Sequence, residues 1–65
     1  MEIKQLEYFA AAVEYGSLNR AAEKLYTTQP NVSRVLNSLE KELHVPLLER
    51  SNNGIKMTPQ GEEHY

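Results

Sequence analysis

The sequence contains no cysteine, so disulfides and thiolate metal sites are excluded. That absence fits the cytosol, and the chain is read as cytoplasmic. No apolar run approaches the roughly 20 residues that a membrane span needs. The first residues, MEIKQLEYF, lack the basic head and apolar stretch of a signal peptide. No glycine-rich phosphate loop is present. The two histidines, His44 and His64, are not spaced for a metal. No single motif pairs an acid with a base, and so short a chain encloses no cleft-sized volume. An enzyme is therefore not expected. Positive charge is also in short supply, with seven Lys and Arg against nine Asp and Glu and a net charge of −2.

What is present is enough for one domain. A chain of 65 residues buries only about 60% of the surface that its unfolded form exposes, so modest stability is expected. The hydrophobic fraction of 40% is ordinary for a folded domain. The charge is unevenly spread, and its distribution matters more than its total. Between Gly16 and Met57 six cations face four anions, whereas the two ends hold Lys4 against five glutamates. The middle is mildly basic and the ends are acidic.

Apolar spacing divides the chain into elements. Ile3, Leu6, Phe9, Ala10 and Val13 recur at intervals of three and four, which predicts one stripe of an amphipathic helix. Gly16 reads as the left-handed residue that closes it, and Ser17 as the N-cap of the next helix. Leu18, Ala21, Ala22 and Leu25 form a second, shorter stripe, whose alanines leave room for another helix to come close. Val32, Leu36, Leu39 and Leu43 form a third, within about 60° of arc at 100° per residue. Its opposite face carries Pro30, Arg34, Asn37 and Lys41, with Ser33 and Ser38 on the flanks. This helix is expected from Gln29 to Leu43. His44 stands where a left-handed residue is wanted, and Pro46 cannot continue the helix.

Beyond Pro46 the period changes. LLERS and IKMT read as short strands, and Asn53-Gly54 signals a two-residue hairpin turn. Ile55 and Met57 share one side of the second strand, Lys56 and Thr58 the other. A last helix begins with Thr58 as N-cap and Pro59 at the first helical position, with Glu62 and Glu63 near the positive end of its dipole. It stops after about two turns, too short to stand without packing, so the chain reads as truncated there. The fold class is mainly α with a small β-hairpin.

The segment YTTQPNVSR, residues 26–34, interrupts the apolar pattern with polar groups and a proline. Only about three residues separate the second and third helices, a spacing that suits a helix-turn-helix. In that unit the N-terminal residues of the second helix meet base edges in the major groove. Thr28 then caps the helix, and Gln29, Pro30, Ser33 and Arg34 occupy the exposed part of its first turns. Proline is tolerated there because first-turn amides have no helical partner, and its ring offers an apolar surface to a thymine methyl. Gln29 has the geometry for adenine, and Arg34 for guanine or phosphate. A plain small helical bundle fits the same residues, and a solvated face accounts for Asn37 and Lys41 equally well. Arg50 suits either a phosphate or an ion pair with a nearby glutamate. Tyr8, Tyr15 and Tyr26 are expected to pack at the rim.

The chain resembles the N-terminal DNA-binding domain of bacterial LysR-type transcriptional regulators. The resemblance is carried by LEYFAAAVEYGSLNRAAEKL (6–25), QPNVSR (29–34), LNSLEKEL (36–43), LLER (47–50) and MTPQGE (57–62). It implies a winged helix-turn-helix with three helices, a two-stranded wing and the start of a linker helix, divided as a domain over 1–58 and a truncated linker over 59–65. By this resemblance Gln29, Pro30, Ser33 and Arg34 face the major groove of double-stranded DNA. Thr28 holds a phosphate, as Asn37 and Lys41 can. The wing, residues 51–54, lies near the minor groove, bringing Asn52 and Asn53 there with Arg50 and Lys56 beside them. Three positions depart from the family. Glycine is usual where His44 stands, an aromatic where Leu48 stands, and arginine is frequent in the wing. No cofactor or metal is implied for this domain. The full-length protein is implied to bind a small-molecule effector elsewhere and to form a homo-oligomer through the linker helix. The isolated piece is expected to be monomeric, with no membrane contact. The alternative is a winged-helix domain used for protein–protein contacts, which the acidic total would suit.

Overall fold

The computed structural model describes residues 2–51 and 54–64. The chain forms α1 (Ile3–Tyr15), α2 (Leu18–Lys24), α3 (Gln29–Leu43), β1 (Leu48–Ser51), β2 (Gly54–Met57) and α4 (Pro59–His64). Gly16 closes α1 at φ 62, and the Ser17 hydroxyl accepts from the Arg20 amide at 3.3 Å to start α2. Thr28 does the same for α3, accepting from the Asn31 amide at 3.3 Å. At its other end α3 stops on His44, left-handed at φ 60. Each expected helix boundary therefore has its local cause in place.

The core is built on Phe9, Val32, Leu39 and Leu47, the largest fully buried side chains. Leu18, Ala21 and Ala22 bury the inner face of α2, where the two alanines permit close helix packing. Val32, Leu36 and Leu39 of the third stripe are buried as their spacing requires, with Leu43 half-buried at the edge.

The first stripe needs correction. The buried residues of α1 are Gln5, Tyr8, Phe9, Ala11 and Ala12, whereas Ile3 is 76% exposed and Leu6 38%. The inward face is thus rotated by roughly a third of a turn from the apolar spacing, at 100° per residue. Two bonds let glutamine replace an apolar residue inside. Gln5 accepts from the Glu2 amide at 2.8 Å and reaches Ser38 at 3.5 Å. Tyr8 is buried rather than at the rim, and Tyr26 is 97% exposed, so neither matches the expected rim packing.

The two strands pair antiparallel, Leu48 with Met57 through Ser51 with Gly54. Gly54 is therefore the first residue of β2 and not the second residue of the turn. Its φ is 118, and a Cβ there would lie 2.6 Å from the Gly16 carbonyl oxygen. Glycine is needed because β2 passes against the α1–α2 turn, where the Ile55 amide donates to the same carbonyl at 3.1 Å. Ile55 and Met57 pack on the core, and Lys56 is exposed. Asn52 and Asn53 lie outside the described residues.

Thr58 fastens α4 to the hairpin base. Its hydroxyl accepts from the Gly61 amide at 3.0 Å and donates to the Pro46 carbonyl at 2.5 Å. Three helices, a two-stranded wing and a following short helix make a winged helix-turn-helix. Among the described residues no helix is long and apolar enough to cross a membrane.

Candidate nucleic-acid interface

α3 is the element that presents the site. Because Val32, Leu36 and Leu39 face the core, the helix period turns Pro30, Arg34, Asn37 and Lys41 outward, and all four are exposed. They line one open groove with Ser33, which the loop from His44 to Pro46 borders at the far end. Gln29 and Ser33 are half-buried and linked, the Gln29 amide nitrogen donating to the Ser33 hydroxyl at 3.0 Å. Thr28 is exposed beside Pro30 in an adjoining hollow that Thr27, Asn31 and Arg34 complete. The structure thus brings together Thr28, Gln29, Pro30, Ser33, Arg34, Asn37 and Lys41 on one side of the molecule.

The described wing residues lie on the β1–β2 hairpin. Arg50 lies in β1 opposite Ile55, and exposed Lys56 stands in register with exposed Glu49. A cation directly across from a glutamate has part of its field neutralised. Asn52 and Asn53 fall outside the described residues.

The electrostatics of the groove depend on where Glu40 points. Its carboxylate accepts from the amides of Leu47 at 2.7 Å and Leu48 at 3.2 Å. Of the two glutamates that flank Lys41, Glu40 is thereby committed to the start of β1. The arrangement offers an anionic polymer the cations Arg34 and Lys41, neutral donors from Asn37, Gln29 and Ser33, and a first helical turn whose dipole favours negative charge. Among the described residues no cluster of three metal-ligating side chains exists.

Apolar spacing and polar clustering did not single out Asn31. Its side chain donates to the Thr27 hydroxyl at 2.9 Å and to the Tyr8 hydroxyl at 3.5 Å, and its oxygen accepts from the Arg34 guanidinium. The i, i+3 spacing to Arg34 was the available signal. The bond to Tyr8 crosses 23 positions and has none.

The chain matches the profile of the bacterial regulatory helix-turn-helix proteins of the lysR family over residues 3–62. It is 48% identical over 61 residues to the HTH-type transcriptional regulator TfdS of Cupriavidus pinatubonensis, covering 94% of this chain and 21% of that protein. It is 46% identical over its whole length to the HTH-type transcriptional regulator BenM of Acinetobacter baylyi, again 21% of that protein. The chain therefore spans about a fifth of the length of these curated relatives. The crystal structure of the BenM DNA-binding domain with benA site 1 DNA superposes with a TM-score of 0.94, covering 100% of this chain and 73% of that one.

Proposed function

The chain belongs to the LysR family of bacterial regulatory helix-turn-helix proteins, whose named members are transcription regulators and not enzymes, and from this we propose that it binds double-stranded DNA sequence-specifically. Its place is the major groove, entered by the N-terminal turns of α3. Gln29, Pro30, Ser33 and Arg34 read base edges. Thr28, Asn37 and Lys41 hold phosphates, which fix register without carrying sequence information. The wing approaches the minor groove through residues 51–54, with Arg50, Asn52, Asn53 and Lys56 as its polar groups. Residues 1–58 form the DNA-binding unit and 59–65 the start of a linker helix. The longer protein pairs through that helix, binds a small-molecule effector in another domain and works in the cytoplasm.

One observation carries this reading. The outward face of α3 holds Pro30, Arg34, Asn37 and Lys41 directly behind the buried Val32, Leu36 and Leu39. An apolar patch on that face would have favoured protein contacts instead. Among the described residues, the exposed large apolar side chains instead lie on α1, at Ile3 and Leu6, and in the turn, at Tyr26.

The test is selection by this chain from a pool of randomised duplexes, followed by titration of the enriched duplex at two salt concentrations. A reproducible enriched sequence, bound at least about 10³-fold more tightly than the unselected pool, is the expected result. Binding without enrichment would remove the sequence-specific reading.

A further inference from the structure

Asn31 sits at the junction of three elements. The Tyr8 hydroxyl of α1 and the Thr27 hydroxyl of the turn both face its amide nitrogen, at 3.5 and 2.9 Å. Its amide oxygen faces the Arg34 guanidinium. A guanidinium only donates, whereas a hydroxyl can donate or accept. Only one orientation of the Asn31 amide therefore satisfies all three neighbours, with oxygen toward Arg34. Behind it Tyr8 is 8% exposed and belongs to the hydrophobic core. The amide is thus anchored to the interior through Tyr8 and to the turn through Thr27.

Arg34 itself is exposed, and a solvated arginine samples many rotamers that binding must then restrict. The bond to Asn31 draws its guanidinium back toward the first turn of α3, into the hollow lined by Thr27, Thr28 and Pro30. One N–H is used in this bond. The remaining donors still allow a bidentate contact to guanine or phosphate.

We propose that Asn31 is a positioning residue for Arg34, setting the guanidinium for base recognition through a link that runs back to the Tyr8 hydroxyl in the core. The proposal rests on the DNA-binding reading above. Asn31 need not touch DNA. Its effect is to reduce the conformational freedom that Arg34 loses on binding, which is how preorganisation raises affinity.

The experiment uses this chain and a duplex that it selects from a randomised pool. Arg34→Ala first identifies the base pair whose preference depends on Arg34. The readout is the affinity ratio between the selected duplex and the same duplex changed at that pair. Asn31→Ala is expected to lower this ratio about fivefold or more, the scale of coupling between residues in contact. Asn31→Asp, which keeps an oxygen toward the guanidinium, retains the ratio. In an Arg34→Ala background Asn31→Ala has no further effect on it. Without DNA, the Arg34 guanidinium NMR signals sharpen or collapse toward those of a free arginine only when Asn31 is replaced by alanine. An equal loss of affinity for both duplexes, persisting in the Arg34→Ala background, would show a purely structural role and overturn the proposal. Should Asn31→Ala not fold, Tyr8→Phe takes its place and is expected to lower the ratio while Asn31→Asp holds it. Unchanged ratios in both overturn the proposal. If the wild-type chain enriches no sequence, the DNA-binding reading fails and this inference falls with it. If a sequence is enriched and the ratio ignores Asn31, the inference fails alone.

Discussion

Glu40 and Leu47 are joined across the bend that links α3 to β1: the Glu40 carboxylate accepts from the Leu47 amide at 2.7 Å and from its neighbour Leu48 at 3.2 Å. Leu47 is 1% exposed, so the bond fixes a core side chain as well as the strand that follows. An amide bonded to a carboxylate contributes more than one bonded to a neutral oxygen. Glu40→Ala is expected to cost about 1.5–3 kcal/mol of stability, and Glu40→Gln less, since its carbonyl still accepts. Urea unfolding of both variants checks the order. Equal, negligible losses would mean that the bend holds without Glu40.

Gly61 and Gly16 test two different reasons for glycine. A Cβ on Gly61 would run into the Leu47 carbonyl oxygen, with no flexible atom to give way. Gly61→Ala is therefore expected to destabilise by about 1–3 kcal/mol through overpacking. Gly16 has nothing within 4 Å of its hypothetical Cβ but sits at φ 62. Gly16→Ala is expected to cost about 1–2 kcal/mol through backbone strain alone. The two separate in a second measurement. Gly61→Ala shifts the NMR resonances of α4 and Leu47, and Gly16→Ala leaves those in place. Wild-type stability for Gly61→Ala would mean that α4 does not lie against Leu47.

Among the described residues, two hold left-handed backbone without being glycine. They are His44 at φ 60 and Tyr26 at φ 57. Both are exposed, so little packing is lost when either is removed. His44→Gly is expected to raise stability by about 0.5–1 kcal/mol, and Tyr26→Gly by a similar amount. Thermal melts decide. A lower melting temperature for either would show that its side chain makes a stabilising contact in solution.

The legible part of this fold was the part written in local sequence. Ser17, Thr28 and Thr58 mark helix starts through bonds spanning three residues, His44 marks a helix end by its left-handed backbone, and all four marks are where the structure has its boundaries. The face of α3 was legible for the same reason, since a period of 3.6 places Arg34 opposite Leu36 and Leu39 without knowledge of the rest. What escaped depends on distant partners. Nothing near Gln5 in sequence announces Ser38, which helps turn a glutamine inward while Ile3 faces out. Nothing near Gly54 announces the Gly16 carbonyl, so glycine there looked like a turn residue and proved to be a close approach. Asn31 was missed similarly, because its anchor is Tyr8 on another helix.

Arg34 is the residue on which sequence discrimination should turn most directly. It is exposed, and its removal uncovers no core. Arg34→Ala is expected to cost about 1–3 kcal/mol of binding to a selected duplex and to relax preference at one position. Its circular dichroism should match that of the wild type. Full affinity and unchanged preference would transfer base reading to other residues of the face.

Lys41 and Lys56 offer the last comparison, because both are exposed lysines and their surroundings differ. Lys41 lies on the α3 face, and its neighbour Glu40 has turned its carboxylate to the amides of Leu47 and Leu48. Lys56 lies in β2, in register with Glu49 on β1. A lysine that neutralises a phosphate releases a counterion, which steepens the fall of log K with log salt by about 0.9 for each contact. A lysine already opposite a glutamate delivers less net charge to the phosphate and releases less. Lys41→Gln is therefore expected to flatten the salt slope by about 0.9 and to weaken binding to selected and unselected duplexes alike. Lys56→Gln should flatten it by clearly less, and replacing Glu49 by glutamine should steepen the slope in the wild-type background. Titrations of the selected duplex across a salt series give all three slopes. If Lys56→Gln changes the slope as much as Lys41→Gln, the Glu49 pairing does not screen the wing. If Lys41→Gln leaves the slope unchanged, Lys41 is solvated and the phosphate track along α3 ends before it.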